Sequence, residues 1–349
     1  MDASTPLPLL SVIVPAKDEA ACIEESVRSI LRSDYGRVEV LLVDDRSRDG
    51  TLAIMEKLAA EDARVKTISV RDLPDGWTGK THAMFRATEG SSGEIVLFTD
   101  ADASFDPHLL RRAVHYFQTE DLDMLSLLPG FVDRGFNETA VYPHMALGLS
   151  YFYPLQEVND RAKQAGLASG CFIMMKKSVY DRVGTWQRFR NEVTEDVALS
   201  KAIKREGFNL RVLRAGNLVR TRAFRNVMDV CRFWKRTYYG ALDKNMVKTA
   251  RLASNYASLC VVTALFLVSG LVLLSGRGGT PDAALFVASC LALAAVIIPF
   301  SLFIRSEGGN WLYGLASPVG VFLGLCVAVS TLLAILSKEG IHWRGSRYT

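Results

Sequence analysis

The chain is short of cysteine, and none of what it has is paired. Its six cysteines, Cys22, Cys171, Cys231, Cys260, Cys290 and Cys326, never stand at C-x-x-C spacing, and three fall in the apolar C-terminal part. That argues against a zinc site or a disulfide framework and for reduced, cytosol-facing chemistry. Histidine is scarcer still: His82, His108, His115, His144 and His342 show no metal-ligand spacing. The net charge is only +4 over 349 residues, so the bulk charge calls for no nucleic-acid partner. A P-loop is missing too, because Gly76-Trp77-Thr78-Gly79-Lys80 lacks the G-x-x-x-x-G-K-[ST] spacing. Met1–Leu10 carries no basic region followed by an apolar core. It is not a signal peptide, and the N-terminal domain is expected to stay in the cytosol.

What the chain does have is an uneven distribution. Charged residues are dense up to about Arg251, and the rest is mostly apolar. In the first part apolar runs alternate with helical periods. Ser11–Ala16, Val38–Val43, Val65–Val70, Ile95–Phe98 and Met124–Leu128 read as strands. Between them, Glu19–Leu31, Thr51–Ala60, Lys80–Thr88 and a helix from Pro107 to about Phe117 read as helices. Strands alternating with helices imply a doubly wound α/β domain. Further on, Gly135–Val158 is aromatic-rich and weakly charged, Leu167–Met175 reads as a strand and Val197–Ile203 as a helix. The aromatic stretch is a core helix, an acceptor cleft or a membrane-contacting surface.

Three long apolar stretches follow, at about Tyr256–Leu274, Ala283–Ile304 and Trp311–Leu336. Each has the roughly 20 residues needed to cross a hydrocarbon core of ~30 Å, so a lipid bilayer is an expected partner. The expected domains are therefore 1–225 (the α/β domain), 226–250 (an amphipathic interfacial segment), 251–337 (transmembrane helices) and 338–349 (a basic tail). Three full spans from a cytosolic domain leave that tail outside, whereas its basic residues favour the cytosolic side. Pro299 or Pro318 then marks where one stretch would turn back. Arg211, Arg214, Arg220, Arg222 and Arg225 precede the first stretch and suit anionic lipid headgroups or a solvated face.

Carboxylates close the apolar runs. Asp45 ends the second strand; Asp100 and Asp102 follow the fourth. In a doubly wound sheet, ligands bind at the carboxyl ends of the strands. Asp100 and Asp102, one residue apart, suit a divalent cation that carries phosphates. Asp45 can accept from a nucleobase N–H or a ribose hydroxyl, while Asp49 caps the helix that follows. Lys80, at a helix start, favours an anion. Glu195-Asp196 opens a helix after Thr194, where acid suits the helix dipole or acts as a general base.

Together these segments resemble the family 2 glycosyltransferases, from roughly Leu10 to Gly240. Val12-Ile13-Val14-Pro15-Ala16-Lys17-Asp18-Glu19 is similar to the family's opening strand and nucleotide loop, Asp45 to its nucleobase aspartate, Asp100 and Asp102 to its DxD motif, and Thr194-Glu195-Asp196 to its T-E-D base motif. Gly76–Lys80 and Trp343-Arg344-Gly345 resemble the membrane-tethered branch that glycosylates lipids, with its hopanoid-associated, carotenoid and ceramide-type members. Two departures stand out. Asp18 replaces the family's usual Asn, and Lys235-Arg236-Thr237-Tyr238-Tyr239 stands where that branch has Q-x-x-R-W.

The resemblance implies a GT-A fold, a Rossmann-like doubly wound mixed sheet, followed by a transmembrane helix bundle. It implies a multi-pass inner-membrane protein with a cytosolic catalytic domain. The implied reaction is inverting transfer of a hexosyl group from a nucleotide-sugar donor, usually a UDP-sugar, to a hydroxyl of a membrane lipid (isoprenoid, hopanoid, carotenoid or sphingolipid-like). Pro15, Ala16, Glu19, Asp45, Lys80, Asp100 and Arg236 would bind the donor. Asp102 and Asp100 would hold Mg2+ or Mn2+. Asp196, with Glu195, would be catalytic. A processive polysaccharide synthase and an inactive membrane scaffold are the rival readings.

Overall fold

The fold is described from a computed structural model, which covers residues 7–132, 135–306, 309–343 and 346–348. Its strands are β1 (Leu10–Ala16), β2 (Val38–Asp45), β3 (Val65–Val70), β4 (Ile95–Phe98), β5 (Ser104–Phe105), β6 (Met124–Phe131), β7 (Ile173–Lys176), β8 (Leu210–Thr221), β9 (Ile341–Trp343) and β10 (Ser346–Tyr348). The first seven helices are α1 (Ile23–Leu31), α2 (Thr51–Glu61), α3 (Gly79–Glu89), α4 (Leu109–Thr119), α5 (Tyr142–Ser150), α6 (Leu155–Asn159) and α7 (Lys177–Arg182). They are followed by α8 (Thr185–Arg188), α9 (Glu195–Arg205), α10 (Val227–Ala241), α11 (Met246–Leu274), α12 (Thr280–Ser306) and α13 (Ser317–Leu336). The chain divides into two compact units. One is Met1–Val132 with Tyr153–Arg222; the other is Asp133–Phe152 with Ala223–Thr349.

The first unit is built on an eight-stranded sheet of order β3-β2-β1-β4-β7-β6-β8-β5. β3, β2, β1 and β4 are parallel, β7 runs against both β4 and β6, and β8 is parallel to β6. The sheet is therefore mixed, as the resemblance implies. Its central strands are apolar on both faces because both are covered. Val12, Val14, Val40, Leu42 and Leu97 belong to one buried cluster with Ile23, Val27 and Ile30 of α1. Phe98 meets Trp186 on another side, ring centroids 5.0 Å apart, and Trp186 is fully buried.

Helix α1 starts at Ile23, later than the apolar periodicity from Glu19 suggests. Asp18 takes a left-handed φ of 56°, and its loop is bonded across to the loop after β2. Asp18 N donates to Ser47 Oγ at 3.1 Å, Arg48 N to Asp18 Oδ1 at 2.7 Å, and Glu19 N to Thr51 Oγ1 at 2.9 Å. Asp and Asn both tolerate this conformation, which is how Asp18 fits where the resembled family has Asn. The strand expected at Leu167–Met175 shrinks to β7, and the residues before it form a loop. A further strand, β8, occupies the arginine-bearing stretch read as a basic face. Leu210, Val212, Ala215 and Val219 are buried along it, with Arg211 and Arg214 between them and Arg220 after the last.

In the second unit, α5 and α10 pack with α11 and α13. Tyr238 Oη donates to Met145 O at 2.8 Å and Tyr256 Oη to His144 O at 2.9 Å, with the two hydroxyls 3.0 Å apart. Gly148 and Gly324 leave room for the Tyr256 ring, and Gly320 for His144. Small residues let helices approach this way in apolar surroundings. Of the aromatic residues expected on the interfacial segment, Trp234, Tyr238 and Tyr239 are buried within this unit. Three helical segments, Met246–Leu274, Thr280–Ser306 and Trp311–Leu336, are long and apolar enough to cross a membrane. α12 runs on through Pro299. Pro318 lies in the first turn of α13, where a missing N–H costs no helix bond. Of the Trp343-Arg344-Gly345 ending, Arg344 and Gly345 lie outside the described residues.

Candidate active site

The sequence-selected carboxylates of the first unit gather at the carboxyl ends of β1, β2 and β4 and at the start of α9. The centre is Lys80, in the first turn of α3. That turn is fixed by its cap: Thr78 Oγ1 accepts from Thr81 N at 3.2 Å, and Thr78 N donates to Arg190 O at 2.7 Å. Such a cap is worth about 1 kcal/mol. Lys80 Nζ lies 2.6 Å from Asp100 Oδ1 and 2.8 Å from Glu195 Oε1. Carboxylates 20 and 115 positions along the chain from Lys80 are thus joined by one ammonium.

Burial alone would lower the Lys80 pKa, but the surrounding Asp100, Glu195 and Asp196 carboxylates reverse that and hold it well above the ordinary lysine value. Lys80 is a permanent cation here. Its side chain keeps 31% of its surface open, and that of Asp100 32%, whereas Glu195 is buried at 5%. Glu195 is therefore committed to the lysine. Its neighbour Asp196 is more open: Oδ2 accepts from Gly170 N at 2.9 Å and Oδ1 from Val197 N at 2.8 Å.

Gly170 is the floor of this cluster. A Cβ there would stand 2.8 Å from Lys80 Nζ and 3.5 Å from Asp100 Oδ2. Cys171 follows, with Sγ 3.5 Å from Asp100 Oδ2. Burial, then the charges of Asp100 and Asp102, push its thiol well above the ordinary cysteine pKa. Cys22, half-buried and bonded to Glu19, is likewise pushed up to about 12. Asp102 accepts from Thr221 Oγ1 at 3.2 Å.

Asp45 lies at the end of β2, only 4% exposed. Its Oδ1 is 2.8 Å from Arg46 Nη2, and a Cβ on Gly79 would stand 2.0 Å from its Oδ2. Pro15 and Ala16, at the end of β1, are buried, so they offer backbone and little side chain. Glu19 sits in the loop bonded to Thr51. Arg236 lies on α10, in the second unit. Asp49 accepts from Thr51 N at 3.0 Å, but it stands one residue before the cap position of α2, which is Gly50.

Gly170 and Thr221 were not singled out from the sequence. A glycine inside a strand-like run signals close backbone approach, and Gly170 carried that signal. Thr221 carried none.

Among the described residues, no three His, Cys, Asp or Glu side chains gather to hold a metal ion by themselves. The donor chemistry still fits a hard divalent cation. Two carboxylates from one strand end are oxygen donors of the kind such ions take together with phosphate oxygens, and both add to the rise in the Cys171 pKa that burial begins.

A family model described as glycosyltransferase like family 2 matches residues 7–250. The chain belongs to that family. This glycosyltransferase has the GT-A fold. It superposes on the mannosyltransferase PcManGT from Pyrobaculum calidifontis, solved with GDP-Man and Mn2+, with a TM-score of 0.53 at 20% identity, covering 91% of this chain and 88% of that one. A beta-monoglucosyldiacylglycerol synthase of Synechocystis is 29% identical over 202 residues, 57% of this chain and 41% of its own length. A 4,4'-diaponeurosporenoate glycosyltransferase of Staphylococcus haemolyticus is 26% identical over 201 residues, 56% of this chain and 52% of its own length. The match spans about half the length of these curated relatives or less.

Proposed function

We propose that this glycosyltransferase moves a sugar from a nucleotide-sugar to a hydroxyl of a membrane lipid, with inversion at the anomeric carbon. The observation that carries the reading is the Lys80 ammonium held between Asp100 and Glu195, with the Asp196 carboxylate oriented beside it by Gly170 N. Carboxylates suit a diphosphate leaving group when a divalent cation lies between them, and Lys80 adds a fixed positive charge beside that place. Asp45 and Glu19, with the Pro15 and Ala16 backbone, hold the nucleoside end. Asp100 and Asp102 would hold Mg2+ or Mn2+. Bound there, the cation would supply neutralisation of the diphosphate charge. Lys80 shares that charge as the bond from anomeric carbon to phosphate oxygen breaks.

Asp196 takes the proton of the acceptor hydroxyl as its oxygen forms the new bond to the anomeric carbon. A single base facing the leaving group gives inversion. Glu195 is the positioning partner of Lys80. The lipid acceptor is supported by the three long apolar helical segments and by the names of the two relatives, one a synthase of a glucosyldiacylglycerol and the other a glycosyltransferase of 4,4'-diaponeurosporenoate. In this reading residues 226–250 lie at the membrane interface, the catalytic unit faces the cytosol, and the membrane is the inner one.

Asp196→Asn keeps the shape of the side chain and removes the base. Transfer to lipid, measured by mass spectrometry of the products, should fall by about 10²- to 10⁴-fold, while binding of UDP or GDP with Mn2+ stays within a few-fold. Undiminished turnover in that variant would overturn the base assignment.

A further inference from the structure

Three crossings join the two units, at Val132, Phe152 and Arg222. Two of them leave the first unit side by side. β6 and β8 run parallel to their ends, where Phe131 pairs with Thr221, and Val132 N donates to Thr221 O at 3.0 Å. The hydroxyl of the same threonine bonds to Asp102 Oδ2 at 3.2 Å. Thr221 therefore touches a donor-site carboxylate through its side chain and the neighbouring exit through its backbone.

The strands that end here are only loosely laddered. Their register is regular from Met124 and Leu210 to Leu128 and Arg214, then jumps on both sides of Pro129. Gly216 takes a left-handed φ of 57° at the jump. A bulge leaves residues beyond it with fewer ladder bonds and a bend that can adjust. Past the exits, within the second unit, both segments meet one buried carboxylate. Glu138 accepts from Gly135 N at 3.0 Å and from Phe224 N at 2.7 Å, and Asn137 Nδ2 donates to Phe224 O at 3.3 Å.

We propose that Thr221 is a positioning residue whose hydroxyl fixes the Asp102 carboxylate for a divalent cation carrying the donor diphosphate, and so links occupancy of that site to the order of the Val132 and Arg222 exits. This rests on the donor-site reading above. The physical basis is general: a hydroxyl bonded to a liganding carboxylate restricts its rotation, and losing such a partner costs 10- to 100-fold in metal affinity.

The test uses the full chain in detergent or nanodiscs, with Thr221→Val and Thr221→Ser. Mn2+ binding is titrated by electron paramagnetic resonance, alone and with UDP or GDP. Hydrogen exchange is followed over residues 129–132 and 218–224. The parent should bind Mn2+ more tightly with a nucleoside diphosphate and gain protection at both exits. Thr221→Val should weaken Mn2+ binding by about tenfold or more and lose the exit protection, while peptides holding Lys80 and Gly170 stay protected; Thr221→Ser should restore both. If Thr221→Val matches the parent in Mn2+ affinity and exit protection, the positioning role is wrong although the donor site stands. If the parent fails to bind Mn2+ with either diphosphate, the donor-site reading itself fails, and this inference with it.

Discussion

Gly170 shows how a residue without a side chain can decide a site. It gives a backbone N–H to Asp196 and leaves the space that Lys80 Nζ fills. Gly170→Ala would insert a methyl 2.8 Å from that ammonium. The obstructed atom is the end of a flexible chain, so the fold can give way cheaply and the site cannot. KM for the nucleotide-sugar should rise about tenfold or more with a melting temperature within a few degrees of the parent. A large drop in melting temperature would mean that Gly170 serves the fold instead. The Asp100, Asp102 and Asp196 carboxylates and Lys80 were legible in the sequence because strand ends and helix starts attract ligand chemistry. The Lys80–Glu195 pair was not. A contact across 115 positions leaves no trace in local spacing. Gly170 was hidden because the apolar stretch around it read as one strand, Leu167–Met175, of which only β7 forms.

Elements were legible where period and environment agree. β1, β2, β3 and β4 are uniformly apolar or cleanly bounded, and their ends fall within two residues of the pattern. β8 was missed because its arginines were read together as a basic face, and the left-handed Gly216 breaks the period of two part-way along it. The direction of β7 was equally hidden, since a single strand's sequence does not say which way its neighbour runs.

Helix α5 carries a consequence for pH. His144 is 6% exposed, stacks on Phe300 with centroids 3.7 Å apart, and its buried Nε2 has no hydrogen-bond partner among the described residues. Burial lowers its pKa from 6.5 to about 4. The unfolded chain therefore binds a proton that the folded unit refuses. Stability should be full above about pH 6.5 and fall as the pH drops towards 4, by an order-of-magnitude ~3 kcal/mol from this group. His144→Phe keeps the ring stack and removes the proton site. Thermal melts from pH 7 to pH 4 should lose part of their acid limb in that variant. An unchanged acid limb would assign the effect to other groups.

At the scale of the whole molecule, the decisive fact is apolar surface left open. Leu265, Leu267, Val268, Leu271 and Leu274 on α11 are 40% to 86% exposed, as are Leu285, Val287, Leu291, Ile298 and Leu302 on α12 at 42% to 67%. A water-soluble chain rarely carries so continuous a patch, whereas hydrocarbon chains cover it without cost. Two outcomes separate these environments. If the helices cross a bilayer, Leu267→Arg charges a lipid-facing position and should cost about 3 kcal/mol of insertion; the fraction of protein kept in the membrane after a carbonate wash should fall, while Leu267→Ala stays near the parent. If the helices instead formed a bundle in water, the same arginine would improve solubility and leave the melting temperature unchanged. Carbonate extraction of the three forms side by side therefore distinguishes a spanning unit from a peripheral one, and retention of Leu267→Arg at the parental level would argue against spanning.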